Sequence, residues 1–419
     1  MLMQITALGA IVGLIIAIFL ILKKVHPAYS LILGSFVGGM VGGAGLVQTV
    51  NFMIDGAKGI MPAILRILTA GVLAGILIES GAAARIAETI IEKIGESRAL
   101  IALVIATYVL TAVGVFIDVA VITVSPIALA IAYNAKLSKS AILLAMVGGG
   151  KAGNIISPNP NTIAAANNLN VPLTSLMGSG IIPSIFGIII AVILSKRLIN
   201  KGSFVKEKEL SISSEKKPSF FASIIGPLVA ILLLALRPLF DIAIDPLIAL
   251  PIGGIVGIIA MGKFHKVNEY TIFGLNKMSS VAILLIGTGT IAGIVSNSGL
   301  KDLIISGLQA SGLPAYALAP ISGILMSAVT ASTTSGTAVA SSVFGETILS
   351  LGIPALSGAA MIHSGATVLD HLPHGSFFHA TGGSVFLDMK ERLKLIPYES
   401  LIGLTMTIIS TIIYGVIML

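Results

Sequence analysis

The segment GGGKAGNIISPNPNT, Gly148–Thr162, interrupts an apolar stretch that runs from about Ala141 to Ala166. Pro158 and Pro160 remove backbone hydrogen-bond donors and clash with the preceding helical turn, while the glycines weaken a helix further. We therefore expect the chain to enter a membrane as a helix, to unwind near mid-depth and to leave as a helix. Unwound backbone at that depth is tolerated only inside protein or beside a wet cavity, and it is typical of solute sites in secondary transporters.

The composition places the rest of the chain in a membrane as well. Of its 419 residues, 56% are hydrophobic and only 10% are charged, whereas soluble domains carry roughly 25% charged residues. Apolar runs recur from end to end, so we expect an all-α polytopic protein of the inner (cytoplasmic) membrane. The first run, Ile5–Leu22, is followed by Lys23 and Lys24. This order predicts a retained helix with its amino end outside rather than a cleaved signal.

The net charge of +7 and the absence of cysteine exclude other classes of protein. The basic residues lie in short loops, where they set membrane topology, so we expect no nucleic-acid partner. Without cysteine the chain has neither a disulfide framework nor thiol chemistry. We also expect no cofactor.

The order of the apolar segments predicts two inverted repeats, residues 1–200 and 219–419, joined by a polar cytoplasmic linker at 201–218. Each repeat is predicted to contain five membrane spans, among them the glycine-rich Leu31–Val50, together with a re-entrant hairpin and a broken helix. Five crossings are an odd number, so the second repeat would lie upside down relative to the first. The hairpins are expected at about 100–134 and 316–351, and the broken helices at about 141–169 and 354–382.

The distribution of positive charge supports this topology. With the amino end outside, most lysines and arginines fall on the cytoplasmic side, including Lys277 and Arg392. Such an excess is what the positive-inside rule requires, and it would be lost if either hairpin crossed the membrane completely. The basic residues expected on or near the opposite side are Lys58, Arg66, Arg237 and Lys301.

Polar side chains cluster at the interruptions and are predicted to hold a solute. Serine, threonine and asparagine offer hydroxyl and amide groups beside helices that restart, whose free N–H groups and dipoles attract anions. The alternative is that such residues only cap helices, form turns or pack helices. The predicted substrate-binding residues are Lys151, Asn154, Ser157, Asn159, Asn161, Thr162, Ser332, Thr333, Thr334, Ser335 and Thr337.

Ionisable side chains at mid-depth are costly and are therefore functional candidates. Asp118, at the break of the first hairpin, either carries a coupling proton or caps a helix. Lys151 either pairs with a substrate carboxylate, forms an ion pair with Asp118 or Asp370, or reaches towards an interface. Asp370, His371 and His363 are predicted to carry coupling protons. The alternative for the histidines is that they hold the unwound backbone by hydrogen bonds.

Three motifs carry a resemblance to a known family: ESGAAARIAETIIEKIG at Glu79–Gly95, FIDV at Phe116–Val119, and the Pro-Asn-Pro break followed by TIAAA. In this order, over most of the chain, they resemble the gluconate permease family of the ion transporter superfamily. The resemblance implies proton symport of sugar acids or other small hydroxy- or amino-carboxylates. It also implies a scaffold domain and a moving transport domain, often in a homodimer. The substrate would lie between the two hairpin tips and the two broken helices.

Together these features predict a secondary active transporter that moves a small organic anion, coupled to protons, by alternating access. One alternative is a cation/proton antiporter with Asp118 and Asp370 as ion ligands. Another is an intramembrane metalloenzyme built on Asp370, His371 and His374, because carboxylate and imidazole suit zinc or iron. Pro373 breaks the helical spacing of this cluster and no second cluster completes it, so we expect no metal and no enzymatic activity.

Overall fold

The computed structural model describes residues 5–95, 98–210 and 217–418, apart from the side chain of Gln309. Within these ranges every regular element is a helix, and a π-helical turn at Ile412–Ile417 extends the last one. The α-helices are α1 (Ala7–Leu22), α2 (Pro27–Val41), α3 (Gly45–Gly59), α4 (Met61–Glu79), α5 (Ala82–Ile94), α6 (Ala99–Ala112), α7 (Ile117–Ala135), α8 (Lys139–Asn154), α9 (Pro160–Asn168), α10 (Leu173–Ser179), α11 (Ile181–Arg197), α12 (Phe220–Phe240), α13 (Pro246–Ala260), α14 (Val267–Ser296), α15 (Leu300–Ser311), α16 (Leu318–Thr330), α17 (Thr333–Ser350), α18 (Ala355–Gly365), α19 (Ser376–Ser384) and α20 (Met389–Thr411).

Several of these helices have the dimensions of membrane spans. In the described part of the chain, α4, α7, α12, α14 and α20 are long and apolar enough to cross a bilayer, which takes about 20 residues. The pair α10 and α11, bent by 40°, passes the same test as one broken span. Shorter apolar helices are α1, α2, α6, α13 and α16. The all-helical, apolar fold agrees with the predicted class.

The helices pack in two groups. In one group α14 packs on α2, α3 and α4, while α13 packs on α4 and α12. In the other group α8 is central and contacts α6, α7, α11 and α20, so that every residue of α8 is buried. The groups meet where α17 packs on α14 and where α9 packs on α4. The helices on both sides of the first interruption, α8 and α9, therefore lie in the interior of the protein.

The first interruption lies later than the sequence suggests. Residues Gly148–Asn154 were expected to unwind, but they complete α8, and only Ile155–Asn159 leave the helix. The glycines have a packing role, because they let α6 approach the backbone of α8. A Cβ at Gly149 would lie 2.1 Å from the carbonyl oxygen of Val104, and one at Gly153 would lie 2.1 Å from Thr111 Oγ1.

Substituting Gly149 with alanine is therefore expected to destabilise the protein by about 1–3 kcal/mol, because the added methyl group overpacks the α6–α8 interface. Gly307 in α15 is a matched control, since a Cβ there meets open space. Gly307→Ala should stabilise its helix by about 0.5–1 kcal/mol. Chemical unfolding of both variants in the same detergent measures the two effects. Equal stability of the two variants would contradict this account.

A second difference concerns the predicted span Leu31–Val50, which the structure divides into two helices. α2 ends at Val41, and α3 begins at Gly45. Gly43, between the two helices, and Gly45, the first residue of α3, have φ values of +91° and +71°, a left-handed region that favours glycine. These two residues, on either side of Ala44, end one helix and redirect the chain into the next.

The predicted linker, 201–218, contacts α8 and α5 at its described ends; its residues 211–216 lie outside the described part of the chain. Lys139 at the start of α8 donates to Glu209 Oε1 at 2.8 Å. At the other end Lys217 forms an ion pair with Glu88 of α5. Burial alone would raise the pKa of Glu209. Hydrogen bonds from Lys139 and from the backbone N–H of Lys206 outweigh burial and lower this pKa below its ordinary 4.5.

This lowered pKa gives a pH-dependence of stability. A carboxyl group whose pKa is lowered by folding stabilises the protein above its unfolded pKa and loses that contribution as the pH falls through the folded value. Thermal stability of the wild type should therefore fall below about pH 4.5 more steeply than that of Glu209→Gln. Glu207→Gln, at a neighbouring exposed position, is the control and should follow the wild type. Parallel melting curves for wild type and Glu209→Gln across this range would contradict the prediction.

Candidate functional site

Four interruptions of the helical chain meet at one place. Two are helix breaks, at Ile155–Asn159 between α8 and α9 and at Ala366–Gly375 between α18 and α19. Two are short turns, residues 113–116 between α6 and α7 and residues 331–332 between α16 and α17. They surround a cavity of about 150 Å³, here called the central cavity. Its lining residues are Phe116, Ile117, Asp118, Asn154, Asn161, Ala331, Ser332, Thr333, Thr334, Asp370, Ser376 and Phe377.

The amino ends of four helices line the central cavity. Residues from the first turns of α7, α9, α17 and α19 contribute to its wall. The first N–H groups of a helix have no partner within the helix, and the dipole is positive at this end. Side chains cap α9 and α17, but α7 and α19 have no side-chain cap. These four amino ends therefore contribute positive partial charge to the cavity wall, which favours an anion beside them.

The α16–α17 turn leads into two threonines at the start of α17, which bond to the second helix break and to the start of α9. Thr333 Oγ1 donates to Asp370 Oδ2 at 2.5 Å, and Thr334 Oγ1 donates to Asn161 Oδ1 at 2.5 Å. Ala331 in this turn has a φ of +46°, a strained conformation for a residue with a Cβ. These bonds fix the hydroxyl groups that face the central cavity.

Lys151 and Asp370 form a buried ion pair, so the structure selects one of the pairings that the sequence left open. Lys151 Nζ donates to Asp370 Oδ1 at 2.5 Å and to the carbonyl oxygen of Thr367 at 2.7 Å. It also lies 2.9 Å from His371 Nδ1. The lysine is fully buried and does not line the central cavity. Its ammonium group therefore neutralises the Asp370 carboxylate from the side that faces away from the central cavity.

Three asparagines connect the first break to the central cavity. Asn159 Oδ1 accepts from the backbone N–H groups of Asn161 and Thr162 and from Thr162 Oγ1, so it caps α9. Asn159 Nδ2 donates to the Asn154 carbonyl and side-chain oxygens. Asn154 is 5% exposed, and its own Nδ2 has no hydrogen-bond partner among the described residues. A buried unpaired donor costs about 1–3 kcal/mol, so this amide is available to a solute.

Asp118 lies in the first turn of α7, on the wall between the central cavity and a larger one of about 370 Å³. This second cavity, here called the vestibule, is also lined by Ser335, His26 and Lys277. Within the described chain Asp118 has no ion pair or hydrogen bond from its side chain, and it is half-buried. His26 and Lys277 were not predicted as cavity residues, because both lie beside predicted cytoplasmic ends and belong to no motif.

Several predicted site residues lie outside both cavities. Ser157 and Thr337 are buried, and their hydroxyl oxygens have no hydrogen-bond partner in the described part of the chain. His363 lines a separate void of about 10 Å³, and His371 lies behind Asp370, where Nε2 contacts the Ile396 carbonyl oxygen at 3.0 Å. Their proposed roles stay predictions. The described residues contain no group of three or more His, Cys, Asp or Glu side chains placed to hold a metal ion.

Comparison with known proteins identifies the family. The profile of the GntP family permease matches residues 3–417. This chain belongs to the GntP permease family. An uncharacterized transporter of Haemophilus influenzae is 66% identical over 98% of this chain and 99% of its own length. A high-affinity gluconate transporter of Escherichia coli is 21% identical over 88% of this chain and 90% of its own length. A gluconate permease of Bacillus licheniformis is 23% identical over 88% and 90%.

The fold is also similar to a solved structure. The crystal structure of the Alcanivorax borkumensis YdaH transporter matches with a TM-score of 0.68 over 90% of this chain and 89% of that chain, at 15% identity. The predicted resemblance to the gluconate permease family is thus confirmed. The protein is a multi-pass membrane permease and not an enzyme. The comparisons give no support to the antiporter or metalloenzyme alternatives.

Proposed function

We propose that this GntP family permease carries a small organic anion, a sugar acid or other hydroxy- or amino-carboxylate, across the cytoplasmic membrane together with protons. Transport would occur by alternating access between two inverted repeats, with the α6–α7 and α16–α17 pairs as re-entrant hairpins. The names of the relatives, gluconate permease and gluconate transporter, support the substrate class. The proposal includes a homodimer, which the family resemblance supports.

The observation that carries the proposal is the convergence of four helix amino ends on one cavity. Oriented N–H groups stabilise a carboxylate without a fixed cation, and they remain in place when the substrate leaves. Hydroxyl and amide groups complete the site, since the central cavity is lined by Asn154, Asn161, Ser332, Thr333 and Thr334, and Asn154 Nδ2 has no partner among the described residues. Such groups would hydrogen-bond the hydroxyls of a sugar acid. Lys151 contributes indirectly, because its charge is already balanced by a carboxylate.

The two ends of the site support alternating access. The central cavity borders the vestibule, which reaches His26 and Lys277 on the side that the charge distribution makes cytoplasmic. On the other side Arg66 of α4 holds Asp245 through two nitrogens, at 2.8 and 3.0 Å, and donates to Asn167 of α9 at 2.9 Å. These bonds join the two groups of helices at the outer end. We interpret this arrangement as an inward-facing state.

Binding of carboxylates to the purified protein tests the proposal. A ligand that binds only the folded state stabilises it, by about 2.7 kcal/mol at a concentration one hundred times its Kd. Thermal unfolding should shift upward with gluconate or another small hydroxycarboxylate and not with its uncharged counterpart, sorbitol. A panel of small carboxylates in which none exceeds its neutral analogue would overturn the proposal.

The vestibule makes a prediction about substrate affinity. Lys277 is an exposed cation on the vestibule wall, and a charge of one sign in a cleft raises the local concentration of an oppositely charged substrate. Lys277→Gln is expected to raise the KM on the vestibule side several-fold at low ionic strength and to leave the maximal rate unchanged. Lys266→Gln, outside the cavity wall, is the control. Equal KM values for Lys277→Gln and the wild type would remove this role.

A further inference from the structure

The Lys151 ammonium group has the surroundings of a bound metal cation. Its Nζ lies 2.5 Å from Asp370 Oδ1, 2.7 Å from the Thr367 carbonyl oxygen, 2.9 Å from His371 Nδ1 and 3.5 Å from the Glu399 carbonyl oxygen. The lysine and the histidine are 0% exposed, and Asp370 is 3% exposed. Three oxygens and one nitrogen from two chain segments therefore enclose a single positive charge.

The origin of these atoms is informative. Thr367 lies just after the carboxyl end of α18, in the unwound segment of the second break. Unwound backbone carbonyls and the carboxyl ends of half-helices are the groups that coordinate Na⁺ in transporters with broken helices. Here the Thr367 carbonyl oxygen, a group of this kind, contacts the Lys151 side chain of α8 instead of an ion. We propose that Lys151 fills a cation-binding position with a charge attached to the chain, so that this permease requires no diffusible Na⁺ at the second break.

The hydrogen bonds of His371 support this assignment. Its Nε2 lies 3.0 Å from the Ile396 carbonyl oxygen, which only accepts, so Nε2 carries a proton. Its Nδ1 lies 2.9 Å from Lys151 Nζ and 3.0 Å from Asp370 Oδ1. In the neutral ring with the proton on Nε2, Nδ1 offers its lone pair to the ammonium group of Lys151. All the groups that contact Nζ therefore act as acceptors.

The charge balance explains why a cation is needed. Lys151 and Asp370 are one positive and one negative charge in full burial, and a buried charge without a partner is strongly destabilising. Asp370 Oδ2 is held at the same time by Thr333 Oγ1 from the α16–α17 turn. The cation therefore also fixes the carboxylate that bonds to this turn. In the proposed function, this arrangement leaves protons as the coupling ions, and this part of the inference rests on that function.

Removing the lysine side chain should convert the position into a Na⁺ site. Lys151→Ala leaves the Asp370 carboxylate, the two carbonyls and the histidine around an empty space. Thermal unfolding is measured in detergent without any carboxylate, in choline chloride to which NaCl, LiCl or KCl is added at constant ionic strength. We expect a concentration-dependent rise in Tm for Lys151→Ala with NaCl and no cation-specific rise for the wild type.

Two controls make the test specific. In Lys151→Ala/Asp370→Asn the carboxylate is removed, and the response to Na⁺ should disappear. Lys139 is a second buried lysine, 3% exposed, that contacts Glu209 and the Phe386 carbonyl oxygen, but it lies at the linker rather than at a helix break. Lys139→Ala should show no Na⁺-specific rise in Tm. A rise of equal size in Lys139→Ala, or no rise in a folded Lys151→Ala, would overturn the inference.

Loss of the folded variant also gives an answer. Recovery of Lys151→Ala in NaCl but not in choline chloride supports the inference. If Lys151→Ala is recovered in neither salt, the wild type is measured instead. Equal Tm and equal pH-driven uptake of the wild type in choline chloride and in NaCl support the inference. A wild type that needs Na⁺ for stability or for uptake overturns it. The Tm measurements contain no carboxylate, so the absence of a Na⁺ response would not contradict the proposed substrate class. In the same way, a protein that binds no carboxylate would not contradict the role of Lys151 at the cation position.

Discussion

Arg392→Met is expected to destabilise the protein by about 3–5 kcal/mol, because it leaves the Glu399 carboxylate buried without a partner. Arg392 is 2% exposed and Glu399 is 0% exposed, and the two form an ion pair through both guanidinium NH₂ nitrogens. The same guanidinium donates from Nε to the Phe378 carbonyl oxygen at 3.1 Å and from Nη2 to Thr381 Oγ1 at 3.2 Å. It thereby joins α20 to α19, which forms part of the central cavity.

A double variant separates the charge from the packing. Replacing a whole buried ion pair by apolar residues is often neutral or stabilising, so Arg392→Met/Glu399→Leu should recover most of the stability lost in Arg392→Met. Lys266→Met is the matched control, because Lys266 and Glu269 form an exposed pair with 44% and 57% side-chain exposure. Such exposed pairs contribute little to stability, because water screens them and the long side chains lose freedom. Denaturant unfolding in detergent compares the variants, and a loss in Arg392→Met no larger than in Lys266→Met would contradict the prediction.

Arg392 also shows where sequence reasoning fails in this chain. It was predicted only to lie on the cytoplasmic side, and the structure shows in addition that it is buried two turns from Glu399 within α20. The charge count could not distinguish an exposed arginine from a buried, paired one. The partner of Arg392 is in the same helix, and its other acceptors are in α19. Only the tertiary packing of α19 on α20 buries the pair.

The helix breaks themselves were accessible from the sequence, because their chemistry is local. Proline lacks an N–H wherever it occurs, so Pro158 and Pro160 mark an interruption in any apolar helix. The role of the neighbouring glycines could not be predicted from the sequence, because glycine is favoured both where helices pack closely and where a helix unwinds. Gly149 and Gly153 therefore looked like part of the break until the position of α6 was known.

The sequence limits the ion-pair partner of Lys151 to two candidates but does not decide between them. Asp118 and Asp370 are both acidic residues at interruptions, 33 and 219 positions away along the chain. The choice depends on how the second break packs against α8. The structure selects Asp370 and leaves Asp118 as the carboxylate between the central cavity and the vestibule.

The different positions of Asp118 and Asp370 predict which of the two carboxylates carries the coupling proton. A group that carries protons must alternate between contact with water and contact with the substrate site, and Asp118 lines both cavities. Asp370 lines the central cavity but not the vestibule, and Lys151 and Thr333 hold both of its carboxylate oxygens. Asp118→Asn keeps the shape and hydrogen-bonding capacity of the side chain but removes its exchangeable charge. We expect it to abolish uptake driven by an imposed pH gradient in proteoliposomes, down to the level of empty liposomes.

Substrate exchange distinguishes loss of coupling from loss of the site. If Asp118 carries the proton, Asp118→Asn should still bind the carboxylate in thermal unfolding and still exchange labelled for unlabelled substrate, since neither process needs net proton movement. Glu346→Gln is the control, because Glu346 is an exposed acid of α17 that lies near Lys301, away from both cavities. It should keep wild-type uptake. Undiminished pH-driven uptake by Asp118→Asn would remove Asp118 from this role. In that case the coupling proton would have to be carried by another of the predicted groups, Asp370, His371 or His363.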